Sequence, residues 1–132
     1  MRIALLVLLA GCPQQGDSCE VDNQCNDGTV CSREHICVDP SEVKAVTARW
    51  TINNAPASDA ACMGLDLHIE FFGRDQESDS LGFEPVPCPA GSFFVDKLPA
   101  RYDRVGLRFI GDPGGDTALF DQDGVAQLNL AL

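Results

Sequence analysis

From Val43 onward the chain alternates apolar and polar residues with a period of two. Val46, Ala48, Trp50 and Ile52 are separated by Thr47, Arg49 and Thr51, and Leu65, Leu67, Ile69 and Phe71 by Asp66, His68 and Glu70. Successive side chains of a strand point to opposite faces, so this spacing specifies half-buried strands rather than an amphipathic helix. Shorter candidates run from Leu81 to Val86 and from Ser92 to Asp96. A longer one turns Val105, Leu107 and Phe109 inward and Arg104 and Arg108 outward. Thr117–Phe120 and Val125–Leu132 are expected to form the last hairpin around Asp121-Gln122-Asp123-Gly124, whose Asp-Gly suits positive φ. Short strands separated by Gly, Pro, Asn and Asp predict an all-β fold, an antiparallel seven-stranded β-sandwich over residues 41–132. Parallel neighbours would need crossover connections of a dozen or more residues, and no helical pattern is present to supply them. A hydrophobic content of 45% is enough for a core.

Ahead of this region, residues 19–40 carry four cysteines in the spacing Cys19-x5-Cys25-x5-Cys31-x5-Cys37, with Asn26-Asp27-Gly28 as a turn signal. So short a segment cannot hold itself by apolar burial. Two disulfides would order it instead, and spacing leaves all three connectivities open. A small disulfide-rich module is therefore expected before the sandwich. Cys62, just before the second long strand, and Cys88, in the loop Pro87-Cys88-Pro89, are expected to pair and staple two strand ends.

The seventh cysteine, Cys12, ends the run Met1-Arg2-Ile3-Ala4-Leu5-Leu6-Val7-Leu8-Leu9-Ala10-Gly11-Cys12. Its apolar part, Ile3 to Gly11, is nine residues long, whereas a helix needs about 18 or more to span a bilayer. Arg2, the apolar stretch and the small residues that follow fit an export signal. Leu9-Ala10-Gly11-Cys12 resembles the lipobox of bacterial lipoproteins. The resemblance implies that residues 1–11 are a lipoprotein signal peptide, that Cys12 becomes the lipidated N-terminus, and that residues 12–18 tether the protein to the membrane. Extended, residues 13–18 reach at most about 20 Å. Lipidation of Cys12 also leaves an even number of cysteines to pair in an oxidising envelope. Pro13 stands where some Gram-negative lipoproteins carry the Asp that retains them in the inner membrane. The resemblance therefore implies an outer-membrane location.

A second resemblance lies in Gly91-Ser92-Phe93-Phe94-Val95-Asp96-Lys97-Leu98-Pro99-Ala100-Arg101-Tyr102. The order of glycine, aromatic strand, Leu-Pro turn and tyrosine is similar to the central motif of transthyretin-like and carboxypeptidase-regulatory-like sandwiches. The turn here is one residue shorter, and the glycine that usually precedes the tyrosine is absent. The resemblance implies a fold and an accessory, adhesive or presentation role.

Charge narrows the partners. The chain has 20 acidic and 9 basic side chains, a net charge of −11, which opposes nucleic acid and anionic head groups. The acyl chains would then hold the protein to the membrane, and stable anchoring needs more than one of them.

Sites for chemistry are sparse. Asp66, His68 and Glu70 fall on one outward face and form a weak candidate for a metal. An acidic solvated face pairing across strands with Arg104 or Arg108 is the stronger reading. Cys25, Cys31, His35 and Cys37 include the ligand types of a zinc site, but none forms a C-x2-C knuckle, and disulfides are expected instead. Residues Asn23 to Glu34 imitate an EF-hand loop only with a thiol in place of an oxygen donor. Gly111-Asp112-Pro113-Gly114-Gly115-Asp116 reads as a loop and Gln76-Glu77-Ser78-Asp79-Ser80 as a polar hairpin tip. No cofactor motif and no nucleophile–base pattern is found. The expected function is that of a lipid-anchored, non-enzymatic cell-envelope protein with a structural or binding role toward an envelope protein or glycan. A carbohydrate or small-ligand binding module is the first alternative, and a metal-dependent hydrolase using His68 the second.

Overall fold

A computed structural model describes residues 17–74 and 79–132 of the chain. The leader, Cys12 and, of the expected polar tip, Gln76, Glu77 and Ser78 lie outside the described residues. The N-terminal module is built on two short antiparallel strands, β1 (Val30–Cys31) and β2 (Cys37–Val38), extended by a bridge between Ser18 and Ile36. Disulfides join Cys19 to Cys31 and Cys25 to Cys37. The Asp22 carboxylate accepts the Cys31 backbone N–H at 2.9 Å, which fixes the first turn against β1.

Asp39 closes the module. Its carboxylate accepts from the Ser41 backbone N–H at 2.9 Å and the Ser41 hydroxyl at 2.7 Å, while Glu42 accepts from the Asp39 N–H at 3.0 Å. This reciprocal cap turns the chain into β3 (Val43–Ile52), which buries Val46, Ala48, Trp50 and Ile52 as its period requires. The chain doubles back into β4 (Ala55–Pro56), makes one helical turn, α1 (Asp59–Cys62), and enters β5 (Asp66–Phe72). There follow β6 (Ser80–Pro87), β7 (Ser92–Pro99), β8 (Arg104–Phe109), β9 (Asp116–Leu119) and β10 (Val125–Leu130). No helix among the described residues is long and apolar enough to cross a membrane.

The fold is all-β, with ten strands in three sheets among the described residues. Beside the two-stranded sheet of the module, one four-stranded sheet joins β10, β3, β4 and β7, and another runs β6-β5-β8-β9. Their buried faces share one core: Trp50, Ile52, Val95, Leu98 and Leu128 come from the first, and Leu67, Ile69, Phe71, Val105 and Leu107 from the second. Phe71, Phe83, Phe93 and Phe120 cluster with ring centroids 5.4 to 6.4 Å apart.

Two expectations are corrected. The strands are not all antiparallel: β10 pairs with β3 in parallel, from Val125 opposite Thr47 to Leu130 opposite Ile52. The crossover rule applies to strands joined directly, and β3 and β10 are separated by the rest of the sheet region. Nor do β9 and β10 form a hairpin. β9 pairs with β8, so the Asp121–Gly124 turn carries the chain from one sheet to the other. Gly124, at φ +74°, runs so close to β3 that a Cβ there would stand 2.8 Å from the Ala45 carbonyl oxygen. Its own carbonyl accepts from the Thr47 N–H at 2.8 Å. Leu65, expected to face inward, precedes β5 and is 39% exposed.

Cys62 and Cys88 are bonded to each other and fully buried. The Trp50 indole N–H donates to the Cys88 carbonyl at 2.9 Å, so the single tryptophan ties this bridge to β3. Closing a loop of this length stabilises the fold by about 3.5 kcal/mol in the chain-entropy model. Replacing both cysteines by alanine is expected to lower the free energy of urea unfolding by about 3 kcal/mol; an unchanged midpoint would contradict this role.

Candidate functional site

The β7–β8 corner is where the two parts of the chain meet. The pairing of β7 with β3 shifts register between Lys44 and Val46, and opposite this shift Lys97 adopts φ +51°. The irregularity swings the end of β7 toward the module. Arg33 donates its backbone N–H to the Lys97 carbonyl at 3.0 Å and its Nε–H to the Asp96 carbonyl at 3.1 Å, covering part of the open edge of β7. Ion pairs cross the same seam: Lys97 Nζ lies 2.9 Å from Asp22 Oδ1, Arg33 pairs with Asp96, and Arg101 with Glu34.

Tyr102 anchors the corner. It precedes β8 rather than starting it, and its side chain is fully buried. Its hydroxyl lies 2.7 Å from Glu34 Oε1 and 2.8 Å from Asp79 Oδ1, and the Arg101 guanidinium donates to the phenol oxygen at 3.0 Å. A hydroxyl carries one proton, so it donates to one carboxylate at a time. Arg101 compensates the charge: it donates to Glu34, reaches Asp79 Oδ2 at 2.8 Å, and sits 4.5 Å from the centre of the Tyr102 ring. Burial, then hydrogen bonding to the two carboxylates, raises the Tyr102 pKa above its ordinary value. The Arg101 hydrogen bond, followed by that of Tyr102, holds Asp79 below the usual carboxylate range.

Beside this cluster lies a cleft of about 460 Å³ between the module hairpin and the ends of β3 and β7. Ile36, Val38, Val43, Pro99 and Ala100 form its apolar walls, and Ser32 also lines it, with its hydroxyl buried behind the wall and without a hydrogen-bond partner among the described residues.

The residues singled out in the sequence are arranged differently. Asp66, His68 and Glu70 share the outer face of β5. Two of the side chains turn to β6: His68 Nδ1 lies 2.9 Å from Glu84 Oε2, and Glu70 accepts from the Ser80 hydroxyl. Arg108 is opposite His68 in register, yet His68 pairs with Glu84, while Arg104 pairs with Asp103 and lies over the Phe72 ring. Among the described residues, the one group of ligand atoms close enough for a metal is Cys19, Cys25 and Cys31, whose sulfurs are in disulfides. The zinc set Cys25, Cys31, His35 and Cys37 loses its thiolates in the same way. Asp112 accepts from the Gly114 N–H and Asp116 from the Asn129 N–H, so the glycine-rich loop spends its carboxylates on its own backbone and on β10. The Glu34–Asp79–Arg101–Tyr102 cluster was not visible in the sequence, because Glu34 and Asp79 lie 67 and 22 residues from Arg101 and no local spacing joins them.

Comparison with family models, curated proteins and solved structures finds no match to this chain.

The corner has a definite pH response. A carboxylate with a lowered folded pKa contributes stability above its unfolded value, about 3.9, and loses it as pH falls through the folded value. The difference in urea stability between the wild type and Arg101→Met is therefore expected to be larger at about pH 7 than at about pH 2.5. An equal difference at both would show that Asp79 is not held by Arg101.

Proposed function

We propose that the protein is a non-enzymatic lipoprotein of the cell envelope, anchored through Cys12 in the outer membrane of a Gram-negative bacterium. In this reading residues 1–11 are removed as the signal peptide, residues 12–18 form the tether, and the disulfide module of residues 19–40 presents a β-sandwich of residues 41–132. The observation that carries it is the division of the cysteines. Six of the seven are paired with one another in three disulfides, so the lipobox-like Leu9-Ala10-Gly11 run stops at the single cysteine left over by that pairing. The acidic chain stands off anionic head groups, which leaves acyl chains as the means of attachment.

The docked module supports a presentation role. Hydrogen bonds and ion pairs join it to the β7–β8 corner, so an anchor placed just before it would hold the sheets and the module together close to the membrane. The Leu98-Pro99 corner followed by the buried Tyr102 supports the likeness to transthyretin-like and carboxypeptidase-regulatory-like domains, whose role is accessory or adhesive. A ligand-binding role is favoured by the cleft at the seam. Labelled palmitate fed to expressing cells is expected to enter the wild-type chain and not Cys12→Ser; equal incorporation in both would refute the anchor.

A further inference from the structure

The seam cleft differs from the other surface depressions in the state of its polar groups. Ser41 donates its hydroxyl to Asp39 at 2.7 Å, Glu42 accepts from the Asp39 N–H at 3.0 Å, and Glu34 and Arg101 neutralise each other. Ser32 is the exception: 4% exposed, it keeps a hydroxyl without a partner among the described residues. A buried hydroxyl left unpaired is unfavourable, so turning it out of the wall toward a hydrogen-bonding molecule in the cleft is favoured. The remaining walls are aliphatic, and the volume falls in the range of small-molecule clefts. With Glu34 and Arg101 paired, Glu42 is the remaining carboxylate at the cleft, and in a chain of net charge −11 it opposes anions.

We propose that this cleft binds a small uncharged amphiphile, a compact apolar body carrying one hydroxyl or amide, and that Ser32 turns its hydroxyl about χ1 to bond that group. The apolar body packs against Ile36 and Val38 of the module on one side and Val43, Pro99 and Ala100 of the sheet on the other. Binding therefore requires both parts of the chain in their docked arrangement. The inference supplies a ligand class for the binding role and does not depend on the lipid anchor, which palmitate incorporation tests separately.

Phenol and toluene, matched in shape and differing in the hydroxyl, serve as probes. Each is titrated into the oxidised, 15N-labelled full chain carrying Cys12→Ser, and into the same chain with Ser32→Ala. Removing the orphan hydroxyl relieves an unpaired group, so the second variant is expected to fold at least as stably. Phenol is expected to shift the backbone amides of Ile36, Val38, Val43 and Ala100 saturably, and Ser32→Ala to weaken it about fivefold while leaving toluene unchanged. Absence of saturable shifts at these amides, or equal phenol affinity in the two proteins, would overturn the proposal.

Discussion

A hairpin as short as β1–β2, with its flanking turns, has too few aliphatic side chains to pay for its own order, so the Cys19–Cys31 and Cys25–Cys37 bridges must hold it. Everything that the module contributes depends on that constraint. Once the hairpin is fixed, Arg33, Glu34 and Asp22 are presented at defined places along the edge and corner of β7. There they meet Asp96, Arg101 and Lys97. Individually, ion pairs between exposed side chains contribute little. Their effect here is one of position, because the buried phenol of Tyr102 and the backbone bond from Arg33 to Lys97 fix the same seam.

The sheets supply the other half of the seam. β3 is paired on both sides, to β10 in parallel and to β7 antiparallel, and its inward residues lie at the centre of the core. The chain crosses between the two four-stranded sheets at four places, and among them the β7–β8 corner and the Asp121–Gly124 turn put polar residues at the ends of the sheets. The β7–β8 crossing buries Tyr102 and leaves Arg101 facing the module. The cleft follows from this geometry, since a hairpin face docked on a corner rather than a flat sheet leaves space between Val38 and Pro99.

Much of this was legible in the residues. A period of two is a local property, and it located the seven longer strands, although it ended β7 at Asp96 where the strand runs on to Pro99. Partnering is not local: the same alternation suits a β9–β10 hairpin or two strands in different sheets, and only the packing of Ala126, Leu128 and Leu130 against β3 selects the latter. Leu65 obeyed the period and still lies outside β5, because the turn after Cys62 takes it out of the ladder. Four equally spaced cysteines cannot announce their own pairing. Asp66, His68 and Glu70 share one face of β5, but His68 and Glu70 are engaged by residues of the neighbouring β6, and strand spacing alone does not report such bonds. The carboxylates that gather on Tyr102 come from distant parts of the chain, which no pattern within a single strand could reveal.

Three internal bridges join six of the seven cysteines, and the proposed lipid anchor requires that Cys12 take no part in them. Mass spectrometry of unreduced peptides from the mature protein, cleaved at the acidic residues of the module, tests this division most directly. It should yield Cys19 linked to Cys31, Cys25 to Cys37 and Cys62 to Cys88, with Cys12 in a peptide heavier by its acyl groups. A disulfide to Cys12, or any other pairing of the six, would contradict it.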